Sequence, residues 1–257
     1  MLGAIAGDII GSPFEFSPVK TIDFPLFAPD CRFTDDSVLT VATAFSLLTD
    51  GDYAQNYKIF GRLYPLAGYG GNFRAWLQGK VTEPYGSWGN GSAMRVGPVG
   101  FAFDTEAEVL AEAEKSAAVT HDHPEGIKGA QAVALGILLA RQGADREQIR
   151  SELSGRFGYD LARTTAEIRP CYQFDVSCQG SVPEAIICLL ESDDWTHAVR
   201  LAVSLGGDAD TQAAITGSLA QAFYSGVPAD IAEKAKDMLS SHLLEVVDDF
   251  EARFMAG

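Results

Sequence analysis

The residues best suited to chemistry lie in two short acidic stretches, FTDDSVLT at 33–40 and SLGGDADTQAAITG at 204–217. The first sets Thr34 beside Asp35 and Asp36. The second sets Asp208, Asp210 and Thr211 behind Gly206 and Gly207, which free the backbone to turn. Taken singly, each stretch reads as a helix start: Thr34 is an N-cap with Asp35 and Asp36 at the positive end of the dipole, and Asp208 caps a helix beginning near Asp210. Taken together they allow more. Adjacent residues on a regular helix do not share a face, so the oxygens of T-D-D or D-A-D-T converge only at a helix start or in a loop. Two such starts facing each other would gather their carboxylates and hydroxyls around one point, where so many negative charges cannot all stay ionised without cations. An all-oxygen donor set suits Mg²⁺, Mn²⁺ or Ca²⁺ rather than zinc. Two such ions about 4 Å apart hold a substrate oxygen and a water together.

The elements that must position these residues are helical. From Asp36 the run SVLTVATAFSLL puts Val38, Val41, Phe45 and Leu48 on one face. A second run, Thr105 to Thr120, opens with Asp104-Thr105 as a cap and carries Glu106 and Glu108 in its first turn. Pro124 opens a third, which ends at Gly143. Further helices are expected at 145–157, 182–191, 195–204, 210–225 and 229–250. Period-2 alternation is almost absent, and the best strand-like candidates, around Phe174–Val176, are too short to build a sheet on. Residues 64–104 and 167–181 lack periodicity, and irregular segments of that length inside a domain tend to carry function. With no linker and no repeat, the expectation is an all-α chain forming one domain over 1–257, a compact orthogonal helical bundle with a binuclear metal site between helix starts.

The bulk properties exclude several partners. A chain of 257 residues with a net charge of −16 repels nucleic acid and anionic membranes alike. No apolar stretch reaches the ~18 residues that a membrane span needs. Cys31, Cys171, Cys178 and Cys188 form no C-x-x-C pair and read as reduced thiols, so a soluble, cytoplasmic protein is expected.

Six segments in order, GAIAGDIIGSPFEF, FTDDSVLT, AGYGGNFRAWL, SWGNGSAMRVGPVGF, THDHPEG and SLGGDADTQAAITGS, resemble the signatures of the ADP-ribosylglycohydrolase family. The resemblance spans nearly the whole chain. It implies an all-α fold holding two Mg²⁺ or Mn²⁺ ions and hydrolysis of the bond at C1″ of α-linked ADP-ribose. It implies Thr34, Asp35, Asp36, Asp208, Asp210 and Thr211 as metal ligands, with Asp210 between the ions. Glu15 falls where the family carries a glutamate near the metals. The same likeness assigns Gly89, Asn90, Gly91, Ser92 and Met94 to the loop that cradles the pyrophosphate and neighbouring ribose, and His121 to the wall of that pocket.

The residues themselves bear on these assignments. G-N-G-S at 89–92 can offer successive backbone N–H groups to phosphate oxygens, and Arg95 adds charge there or forms a structural ion pair. Of the aromatics crowded into the same region, Tyr85 or Trp88 is expected beside the adenine. His121 and His123 flank Asp122 ahead of a proline-started helix, where a cap is the alternative to a binding role. Ser37 stands where many relatives carry threonine, and the chain is short for the family. The expected activity is metal-dependent hydrolysis of ADP-ribose from a protein side chain, arginine favoured over serine, or from a related adduct. Glu15 or Asp36 would assist proton transfer. A non-catalytic ADP-ribose-binding module, a metal-dependent nucleotide phosphohydrolase, and a pair of plain helix caps are the alternatives.

Overall fold

The computed structural model describes residues 1–49 and 51–255. Its helices run in the order α1 (Leu2–Gly11), α2 (Asp35–Thr49), α3 (Tyr53–Leu63), α4 (Gly71–Leu77), α5 (Gly91–Met94), α6 (Gly97–Ala102), α7 (Glu106–Ala118) and α8 (Pro124–Arg141). They continue with α9 (Arg146–Phe157), α10 (Thr165–Ile168), α11 (Cys178–Leu190), α12 (Trp195–Ser204), α13 (Ala209–Phe223), α14 (Ala229–Asp237) and α15 (Ser241–Phe254). One apolar core takes side chains from Leu2 near the start to Phe250 near the end. Among the described residues no helix is long and apolar enough to cross a membrane.

Local chemistry explains most boundaries. Thr105 caps α7 by accepting from the Glu108 N–H at 3.3 Å, and Asp145 with Gln148 forms a capping box on α9. After α8 the chain turns at Gly143, whose φ of +83° suits a residue without Cβ. Two expectations need correction. The span 229–250 is two helices, because the Ser240 hydroxyl accepts from the Leu243 N–H and starts a new helix. The helix expected from residue 182 already begins at Cys178 and carries Pro183 inside it, with Ser177 as its cap. Phe174–Val176 is not a strand. The pairing there is an isolated antiparallel bridge between Gly89 and Ser177, with the Asn90 N–H donating to the Val176 carbonyl at 2.7 Å.

The first helix was not expected, and it decides the geometry. All ten residues of α1 are buried, so it shows no apolar stripe against a polar face. Gly3, Gly7 and Gly11 recur every fourth residue and line one ridge. A Cβ at any of them would overlap the carbonyl oxygen of Gly217, Ala213 or Ala209 on α13. The two helices therefore meet backbone to backbone, and the Gly3 N–H donates to Gln221 Oε1 at 2.7 Å across the contact. Such a contact has no slack. Gly7→Ala is expected to lower unfolding free energy by about 2–3 kcal/mol through overpacking, read from urea melts; an unchanged midpoint would refute the backbone contact.

Candidate functional site

Close packing of α1 on α13 brings three helix regions to one place: the middle of α1 with Asp8, the start of α2 with T-D-D, and the start of α13 with D-A-D-T. Carboxylate oxygens of Asp8, Asp36 and Asp210 lie within 4.8 Å of one another, and so do those of Glu15, Asp208 and Asp210. Asp210 is common to both groups and stands between them. Thr211 Oγ1 reaches Asp36 Oδ2 at 3.3 Å and thereby joins the two helix starts. Asp35 follows from the same turn, its N–H donating to the Ala67 carbonyl at 2.8 Å. The two acidic stretches thus do face each other. They line a cavity of about 440 Å³ together with Glu15, Gly89, Asn90, Gly91, Met94 and His121.

Asp8 was not among the expected site residues. Its carboxylate is fully buried; Oδ1 accepts from the Thr34 hydroxyl at 2.7 Å, and Oδ2 accepts from the Thr34 N–H at 2.9 Å and the Ser37 N–H at 3.0 Å. The Ser37 hydroxyl donates to the same Oδ2. Both oxygens are thus occupied by donors from the start of α2, and Asp8 fixes that turn from below. A lone carboxylate inside the apolar run AIAGDIIG was the available signal, because a charge carried on a buried helix must be met by specific partners. Ser37, not expected to bind metal, is one of those partners.

Electrostatics set the character of the site. Burial, reinforced by neighbouring carboxylates, pushes Asp36 and Asp210 well above the usual carboxylate range. Burial with the Asp8 charge pushes Asp35 up to about 8, and burial with the Asp208 charge pushes Glu15 up to about 7. Asp36 Oδ1 is buried without any hydrogen-bond partner. An orphaned carboxylate oxygen among several others is the donor chemistry a hard divalent cation needs, so the residues present fit a metal ion.

The glycine loop differs in part from expectation. The Asn90 side chain donates to Asp208 Oδ2 at 2.7 Å and to Ser181 Oγ at 3.1 Å, so it steadies an acidic residue rather than standing free for a ligand. Ser92 Oγ donates to the Gly126 carbonyl at 2.7 Å, which turns its side chain away from the cavity towards α8. The N–H groups of Gly89 and Asn90 are already bonded, to Ser87 Oγ and to the Val176 carbonyl. Those of Gly91 and Ser92 have no partner among the described residues. Tyr85 lines the cavity; Trp88 does not, and packs edge-on against His123 with ring centroids 5.5 Å apart. His123 caps α8 by accepting from the Glu125 N–H at 3.1 Å. Arg95 is fully buried and forms no ion pair among the described residues; its guanidinium lies over the Tyr57 ring at 4.2 Å.

An all-α domain with acidic helix starts converging on a cavity defines the class to which known proteins can be compared. A sequence model described as ADP-ribosylglycohydrolase matches residues 1–256. The mouse ADP-ribosylhydrolase ARH3 is 26% identical over 87% of this chain and 82% of its own length. The ADP-ribosylarginine hydrolase Tri1 of Pseudomonas putida is 27% identical over 91% of this chain and 72% of its own. A solved ADP-ribosylglycohydrolase-related protein complex superposes with a TM-score of 0.74 at 25% identity, covering 99% of this chain and 97% of that one. The chain belongs to the ADP-ribosylglycohydrolase family.

Two outcomes follow. Carboxyls whose folded pKa is raised favour the protonated folded state, so their stabilising contribution is complete below the unfolded value of about 4 and is lost as pH rises towards 7–8. In EDTA the melting temperature should therefore fall from pH 5 to pH 8. Mg²⁺ or Mn²⁺ at a hundredfold excess over Kd should restore about 2.7 kcal/mol in wild type and nothing in Asp210→Ala. Coincident melts with and without metal at pH 8 would exclude an ion. Separately, Asp8→Asn turns an amide donor towards a ring of donors and should cost about 1–3 kcal/mol in urea unfolding, with a weaker metal response.

Proposed function

We propose that this chain is a divalent-metal-dependent hydrolase that releases ADP-ribose from protein side chains by cleaving the glycosidic bond at C1″, with arginine the favoured acceptor over serine. The observation that carries the reading is the cluster around Asp210: one cavity holds both acidic helix starts, Glu15 and the glycine loop. The relatives' names point the same way, one an ADP-ribosylarginine hydrolase and one an ADP-ribosylhydrolase. In this reading Thr34, Asp35, Asp36, Asp208, Asp210 and Thr211 would hold two ions, Mg²⁺ or Mn²⁺. Ions held there would supply Lewis-acid activation of a water and of sugar oxygens.

The chain's own residues do the rest. Asp8 holds Thr34 and Ser37, and Asn90 holds Asp208, so the ligand turns are fixed before any ion arrives. Glu15, half-buried with its pKa near 7, takes a proton from the attacking water or gives one to the leaving group. Asp36 is the second group able to exchange a proton there. Met94 and the Gly89–Gly91 backbone border the remainder of the nucleotide, with Tyr85 as the aromatic beside the adenine. A reduced, cytoplasmic setting agrees with four unpaired cysteines, three of them buried. The acidic charge argues against nucleic acid as the modified partner.

The test is release of ADP-ribose from arginine- and serine-linked substrates with Mg²⁺ or Mn²⁺ and then with EDTA. Metal-dependent release, faster from arginine, is expected. Glu15→Gln should lower kcat by about 10²–10⁴-fold while ADP-ribose still binds. Binding without release from either linkage would make the chain a binding module, and release of phosphate instead would make it a phosphohydrolase.

A further inference from the structure

His121 stands just after α7, its imidazole buried against the cavity. Its Nδ1 lies 2.8 Å from the Thr120 hydroxyl oxygen. The same oxygen lies 2.9 Å from Arg95 Nη2. A guanidinium nitrogen can only donate, so Thr120 Oγ1 accepts in that bond; its own buried hydrogen has no other acceptor among the described residues, which directs it at Nδ1. Nδ1 therefore accepts, and the proton of a neutral ring must sit on Nε2. Burial, with the Arg95 charge added, holds the ring well below the ordinary histidine range and so keeps it neutral. Arg95 itself is fixed, with Nη2 also donating to the Ser116 carbonyl at 3.1 Å and the guanidinium stacked on Tyr57.

The other nitrogen faces the glycine loop. Nε2 lies 3.2 Å from where a Cβ would stand at Gly91 and 3.6 Å from the equivalent point at Gly89. Among the described residues nothing accepts a hydrogen bond from it. The Gly91 and Ser92 N–H groups beside it also have no partner among the described residues, so this end of the cavity gathers several donors next to a buried guanidinium, in a chain whose net charge is −16.

We propose that Arg95 and Thr120 are positioning residues that hold His121 in its Nε2–H tautomer, making it a neutral donor for an oxygen of a nucleoside-diphosphate-type anion at the Gly89–Gly91 loop. The identity of that anion rests on the glycohydrolase reading; the tautomer does not. Thr120→Val removes the hydroxyl with little change of shape. Loss of the ordered donor should then weaken ADP-ribose binding about tenfold.

The experiment is ¹⁵N-imidazole NMR of the full-length protein with Mg²⁺ at neutral pH, with His121 assigned by the signal absent from His121→Gln, alongside calorimetry with ADP-ribose. Wild type should show Nε2 protonated and Nδ1 bare. Thr120→Val should show a tautomer mixture with the weakened binding, and Thr120→Ser should restore both. A protonated Nδ1 in wild type, or an unaltered tautomer in Thr120→Val, overturns the proposal. The stated tautomer in a wild type that binds no ADP-ribose overturns the ligand and the glycohydrolase reading, while upholding the relay.

Discussion

Burial of several carboxylates at one point, compounded by repulsion between some of them, is the constraint around which this molecule is arranged. Asp8, Asp35, Asp36, Asp208 and Asp210 crowd together with Glu15, and burial alone would drive them all towards the neutral form. The chain answers unevenly. Asp8 receives donors from Thr34 and Ser37, and Asp208 receives the Asn90 amide. Asp36 keeps an oxygen with no partner at all. Asp8, with both oxygens engaged, acts as framework behind the cavity, while Asp36 with its bare oxygen faces the cavity beside Asp208 and Asp210. That division is the physical difference between a buried acid that organises structure and one that waits for a cation.

The fold concentrates its tolerance elsewhere so that this point can be rigid. Helix starts supply orphan N–H groups, and both acidic turns sit where the dipole favours negative charge. The contact of α1 with α13 then sets the distance between them through carbonyl oxygens seated against glycine Cα atoms, with no side chain in between to rotate. Side chains can repack by tenths of an ångström, whereas backbone-to-backbone contacts hold their spacing. The irregular segment 169–177 is tied to the same centre, because its Val176 carbonyl holds the Asn90 N–H while Asn90 holds Asp208.

Legibility followed locality. The T-D-D and D-A-D-T turns could be read because capping involves residues a few positions apart, and the structure does bring them together. The all-α class was legible for the same reason, through helical spacing in α2, α7 and α8. Asp8 was not legible, since its partners lie 26 and 29 residues away and its helix is apolar on every side. The break after α14 depends on one serine preferring a cap to a helix interior, a choice that periodicity does not register. Asn90 and Ser92 were read as loop residues facing a ligand, yet their side chains answer to Asp208 and to Gly126, which only tertiary packing could supply.

The glycine ridge of α1 also bears on how the protein comes into being. The bond from Gly3 to Gln221 joins residues 218 positions apart, so α1 must wait through the synthesis of all the helices between before it meets α13. Until α13 emerges, an apolar segment with a charge at its centre lacks the backbone surface it packs on most closely. A nascent chain of this kind stays half-assembled while the residues between α1 and α13 are made, and it closes its core in a long-range step.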